Sequence, residues 1–149
     1  MRFWDSSSIL PLVVEERTSD LATRYYEANP ELVVWWAASV ECASALARLE
    51  RDGAVETRGL TQALQQLQAL RSAWNEVQPL DSVRIAAQRL LRLHPLRAAD
   101  ALQLGAALVA ADHRPQAWEF VCLDARLTAA AEREGFGIVS DFAQAKSRK

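Results

Sequence analysis

The stretch Leu96–Ala111, LRAADALQLGAALVAA, places the hardest demand on any fold this chain adopts. From Ala98 to Ala111 only Asp100 and Gln103 are polar, and a helix apolar nearly all round has to be buried against neighbours on more than one side. An aspartate in such a helix needs a reason, because an unpartnered charge is costly to bury. Asp100 falls in the first turn after His94-Pro95, a helix-start signal. Free N–H groups and the positive end of the helix dipole favour a carboxylate there. Two readings stand at this point: a helix-stabilising acid, or a ligand held at the floor of a cleft by a rigid core helix.

The rest of the chain alternates strand and helix signals. Met1 to Trp4 reads as a brief buried strand ending at Asp5, followed by a serine-capped helical turn over Ile9–Val14. Thr18–Ala28 reads as a helix closed by Asn29-Pro30. Glu31–Trp36, ELVVWW, is a continuous β-branched and aromatic run of the kind found in buried parallel strands, which puts both Trp35 and Trp36 in the strand core. Ser39 offers an N-cap for a helix to about Asp52, with Gly53 ending it. Further helices are expected over Arg58–Glu76, from a cap at Asp81 to Leu93, through the opening stretch to about His113, and over Ala125–Glu134. Short strands are expected over Val77–Leu80, Trp118–Leu123 and Phe136–Val139. The sum is an α/β chain with a mostly parallel sheet. Residues 1–149 show no internal repeat or linker, so one domain is expected.

Half of the 149 residues are hydrophobic and 24% are charged, a globular profile. No apolar run reaches the roughly 18 residues of a membrane span, and Asp5 interrupts the N-terminus too early for a signal peptide. A cytoplasmic protein is expected, with Cys42 and Cys122 as small buried residues and no disulfide framework. The net charge of −2 argues against nucleic-acid binding by bulk electrostatics, but leaves room for local arginines beside carboxylates. The only lysines are Lys146 and Lys149, so Schiff-base and P-loop chemistry are excluded from the body of the chain.

Four acids occupy related places. Asp5 and Asp124 each end an apolar strand immediately before a helix, Asp100 begins a helix, and Glu41 lies in the first turn after the ELVVWW strand. Ligands of open parallel sheets bind outside the carboxyl ends of the strands, so all four are expected at one crevice. Each alone is explained as a cap or a dipole-favoured residue. Together they repel unless a cation screens them, and an oxygen-only set suits Mg²⁺ or Mn²⁺ rather than zinc. A carboxylate site of that kind suits phosphodiester hydrolysis.

Four blocks, FWDSS at 3–7, SVECASAL at 39–46, LRAADALQLGAAL at 96–108 and FVCLDARLTAAAEREGF at 120–136, resemble the PIN-domain ribonucleases, and among them the VapC-type toxins of VapBC toxin–antitoxin pairs. The resemblance implies a PIN-like three-layer α/β/α sandwich. It also implies a Mg²⁺- or Mn²⁺-dependent endoribonuclease that cleaves RNA, is held inactive by a cognate antitoxin, and pairs as a homodimer. Asp5, Glu41, Asp100 and Asp124 match the family's acids in order, and Ser6 its supporting hydroxyl. Cys122 stands where the family often has Thr or Ser, two places before the fourth acid.

Arg97 and Arg126, beside two of the acids, suit an RNA phosphate and an ion pair equally well. His94 reads as structural, Asp141 as a cap for a short C-terminal helix rather than a fifth ligand, and Trp74 and Trp118 as packing residues near element ends. The Leu60, Leu64, Leu67 and Leu70 stripe reads as mostly core, with any surplus available to an antitoxin helix. The competing reading is a non-catalytic interaction module on the same fold. A covalent phosphatase on Asp5 is disfavoured by Ser7, where a second aspartate is needed, and a receiver domain by the missing lysine.

Overall fold

Alternate residues of a strand face opposite sides, and here both sides are covered. The computed structural model describes residues 1–145; Lys146 and Lys149 lie outside the described residues. Five short strands, β1 (Arg2–Trp4), β2 (Val33–Trp35), β3 (Asn75–Val77), β4 (Glu119–Val121) and β5 (Gly137–Ile138), form one sheet in the order β3-β2-β1-β4-β5. Every pairing is parallel, and Phe3 at the centre is in register with Val33 on one side and Phe120 on the other.

Eight α-helices among the described residues flank the sheet: α1 (Ser6–Val13), α2 (Ser19–Ala28), α3 (Ala38–Arg51), α4 (Thr57–Ala73), α5 (Asp81–Leu93), α6 (Ala98–Ala110), α7 (Ala125–Arg133) and α8 (Ser140–Ala145). Phe3, Trp35 and Phe120 pack with Leu90 of α5, Leu104 of α6 and Leu127 of α7. Trp4, Val34 and Val121 pack with Ile9 of α1, Leu46 of α3, Leu67 of α4 and Phe142 of α8. The architecture is a three-layer α/β/α sandwich, as expected, and its sheet is parallel throughout. No helix among the described residues is long and apolar enough to cross a membrane.

The all-apolar helix is satisfied by this arrangement. From Ala101 to Leu108 only Leu102 escapes full burial, because α6 lies between the sheet and α5. It ends at Ala110 rather than near His113, since Asp112 and His113 take left-handed φ values of 50° and 54°.

Several local expectations shift. The first helix is capped by Asp5, not by a serine, and starts at Ser6. Helix α3 starts at Ala38 with Ala37 at its cap, so Ser39 sits inside the first turn and makes no capping bond. Asp81 likewise lies inside α5, whose cap position is Leu80, and pairs instead with exposed Arg84 at 2.6 Å. Trp36 is 46% exposed because the β2 ladder stops at Trp35. The helix expected to Glu76 stops at Ala73: the Asn75 amide donates to Leu32 O at 2.8 Å, and Asn75–Val77 become β3 in place of Val77–Leu80.

Candidate functional site

In the order β3-β2-β1-β4-β5 the chain winds outward from β1 on one side and then restarts at β4 on the other. The crevice at such a reversal, outside the carboxyl ends of the strands, is where open parallel sheets bind ligands. Asp5 follows β1 and Asp124 follows β4, so two of the four acids flank the reversal directly.

Asp5 is 4% exposed and caps α1, its Oδ2 accepting from the Ser7 amide at 3.0 Å. Its backbone is anchored to the neighbouring strand: the Asp5 amide donates to Val121 O, and the Ser8 hydroxyl lies 2.8 Å from both Asp5 O and Val121 O. Burial pushes the Asp5 carboxyl up to about 6, with Glu41 adding to the rise; bonds from Ser7 and the Cys122 thiol oppose it. No basic side chain pairs with it among the described residues.

Asp124 caps α7, accepting from the Leu127 amide at 2.9 Å. Asp100 lies in the first turn of α6 and is partly buried. Burial raises its pKa and the Asp124 charge raises it further, against the Arg97 backbone N–H and the Arg97 and Arg126 guanidinium groups. Asp100, Asp124, Arg97 and Arg126 line one open groove of about 560 Å³. Glu41, in the first turn of α3, lines a second of about 650 Å³ with Ser6 and Arg48.

Glu41 is held from two sides. The Ser6 hydroxyl donates to its Oε2 at 2.8 Å and Gln103 Nε2 donates to the same oxygen at 2.9 Å. Ser6 adjoins Asp5, and Gln103 lies one turn along α6 from Asp100, so the segments that carry three of the acids meet at Glu41. Cys122 ties in the fourth. Its Sγ lies 3.5 Å from Asp5 Oδ2 and accepts from the Asp124 amide at 3.2 Å.

All four acids therefore border the same end of the sheet, in two electrostatically coupled pairs, Asp5 with Glu41 and Asp100 with Asp124. Among the described residues no three acidic, His or Cys side chains stand close enough to form a ready coordination shell. The donor chemistry nevertheless fits a hard cation: every candidate ligand is a carboxylate oxygen. A buried, raised aspartate without a basic partner also gains from a positive ion.

The remaining singled-out residues separate cleanly. His94 is half-buried with Nε2 2.7 Å from Glu134 Oε1, and Arg89 takes Oε2, so its partner is Glu134 and none of the four acids. Asp141 borders a different groove with Arg2 and Tyr25. Trp74 and Trp118 are buried, and Cys42 and Cys122 are free and buried. Two supporting residues escaped the sequence reading. Gln103 carried a usable signal, being the other polar residue of the apolar helix and three positions from Asp100, on the same helical face. Ser7, whose hydroxyl accepts from the Leu123 amide at 3.0 Å, carried none.

No protein-family model and no curated protein matches this chain. Among solved structures it is similar to PAE2754 from Pyrobaculum aerophilum, with a TM-score of 0.63 over 99% of this chain and 96% of that one. At 18% identity the likeness is one of fold.

Proposed function

We propose that this chain is a Mg²⁺- or Mn²⁺-dependent endoribonuclease of the PIN-domain, VapC-type toxin class, with Asp5, Glu41, Asp100 and Asp124 as its metal-holding acids. The observation that carries the reading is the placement of Asp5 and Asp124 on either side of the strand-order reversal, with Asp100 and Glu41 brought to the same edge by the first turns of α6 and α3. Four carboxylates from four separated segments at one sheet edge make poor sense as caps alone.

A bound divalent ion would polarise a phosphate oxygen, lower the pKa of water and neutralise charge on the leaving oxygen. The chain's own residues supply the rest. The Ser7 and Leu127 amides fix the Asp5 and Asp124 carboxylates, and Ser6 and Gln103 fix Glu41. Arg97 and Arg126 line the Asp100 groove and would take a phosphate there, in the bidentate manner to which a guanidinium is suited.

The cognate antitoxin, the homodimer and the RNA target enter through the resemblance. Leu64, 40% exposed while Leu67 of the same stripe is buried, offers the antitoxin an apolar contact on α4.

The test is cleavage of RNA by partner-free protein with and without Mg²⁺ or Mn²⁺, alongside Asp5→Asn and Asp100→Asn. Both variants are expected to retain the wild-type circular dichroism spectrum and lose metal-dependent cleavage by at least about a hundredfold. Wild type that takes up no divalent ion, or variants that cut as well as wild type, would leave the non-catalytic interaction module as the reading.

A further inference from the structure

Gln103 is 1% exposed in the interior of α6, and its two amide atoms have different fates. Nε2 donates to Glu41 Oε2 at 2.9 Å, while Oε1 is buried with no hydrogen-bond partner among the described residues. A buried amide placed among Ala, Leu and Gly is costly, and one of its two polar atoms is unpaired. A leucine or methionine would fill the space at less expense if packing were its only purpose.

The geometry on Glu41 gives the amide a purpose. Ser6 and Gln103 both donate to Oε2, and Oε1 of Glu41 accepts nothing from the described residues. Two donors on one oxygen fix the carboxylate's orientation and leave its second oxygen available. The donors come from the elements that carry Asp5 and Asp100, so Glu41 is aligned by the same α1 and α6 backbones that position two other acids. Carboxylates that bind metals are themselves commonly held by such hydrogen bonds, which set ligand geometry.

We infer that Gln103 is a positioning residue: its amide orients Glu41 toward a divalent cation, and its unpaired Oε1 accepts a hydrogen bond from water in the same site. The inference rests on the metal-dependent reading above and assigns a role to a residue outside the four acids.

The experiment is Mn²⁺ titration calorimetry on wild type, Gln103→Met, Ser6→Ala and the double variant, with melting temperatures taken in chelator. Gln103→Met keeps the length and volume of the side chain and removes both polar atoms. It is expected to bind Mn²⁺ about tenfold more weakly, without a lower melting temperature in chelator. Ser6→Ala should weaken binding in the same direction. The double variant should lose less than the product of the two single losses, because both donors act on one oxygen. Retention of the donor in Gln103→His should recover part of the affinity.

A Gln103→Met protein that binds Mn²⁺ as tightly as a metal-binding wild type overturns the inference and leaves the metal reading standing. A lower melting temperature with unchanged affinity overturns it equally, since that is the mark of a packing role. A wild type that binds no Mn²⁺ sinks the metal reading and this inference with it.

Discussion

Asp5 carries two demands that conflict in the absence of a cation. As the cap of α1 it is favoured as an acceptor for the Ser7 amide, but its ionised form is buried beside Glu41 with no basic partner. The folded protein therefore holds its proton up to about 6, above the ordinary range near 3.8. A group whose folded pKa is raised stabilises the fold below its unfolded pKa, and that contribution is lost as pH climbs through the folded value. In chelator, stability should accordingly fall between about pH 4 and pH 6, by at most about 3 kcal/mol from this residue. Asn caps a helix as well as Asp, so Asp5→Asn should flatten that decline and melt higher than wild type at pH 7.5. Saturating Mg²⁺ should raise the wild-type melting temperature at pH 7.5 and leave that of Asp5→Asn nearly unmoved. Thermal melts across pH 4.5–7.5 check both points; parallel profiles for the two proteins would remove Asp5 as the source. The Cys122 thiol contacts both Asp5 and Asp124, and burial holds it well above the ordinary range as a neutral donor.

Helix α6 shows why element placement governs the site. A Cβ on Gly105 would lie 3.1 Å from both Val83 O and Ala87 N of α5, backbone atoms that cannot swing aside. Alanine gains helix propensity of up to about 1 kcal/mol, but separating two packed helices costs about 1–3 kcal/mol, so Gly105→Ala is expected to be destabilised in denaturant melts. Because Asp100 and Gln103 ride on the same helix, its metal affinity should fall too; a stable variant with unchanged affinity would show that the α5–α6 approach is not what sets their position. The pattern of this helix was plain in the sequence, since its apolarity forces burial wherever it lies. The strand-end acids were equally legible, because an apolar run followed by Asp and a helix signal marks the carboxyl edge of a parallel sheet. What eluded the sequence was set by partners distant in the chain. Asn75–Val77 become a strand because Leu32 and β2 offer an open edge, against the helical pattern leading into them. Trp36 reads like Trp35 but lies past the end of the ladder, and nothing local distinguishes the two. Strand order is likewise invisible in the chain, so the meeting of Asp5 and Asp124 across the β1–β4 reversal emerges only in three dimensions.

At the scale of the whole molecule, the ribonuclease proposal has to reckon with a charge of −2, whose overall field would not draw in an RNA strand. Affinity for phosphate has to come from local arginines, and the groove beside Asp100 and Asp124 has two, Arg97 and Arg126. Both also oppose the rise in the Asp100 pKa. Single-stranded nucleic acid loses affinity with salt at a slope near 0.7 per phosphate neutralised. The Arg97→Ala/Arg126→Ala double variant, assayed in chelator so that no cleavage occurs, should therefore show a log–log salt slope shallower by about 1.4 if both arginines meet phosphate. In Mg²⁺ its KM for RNA should rise. The acidic limb of its pH–rate profile should also move upward, because Asp100 loses the two charges that help keep it ionised. If the arginines serve only as counter-charges to the acids, the pH limb moves while the salt slope stays where it was. If they serve only the phosphate, the slope changes and the limb does not. Both shifts together are the expected result, because the two arginines line the same groove as Asp100 and Asp124 and also oppose the rise in the Asp100 pKa.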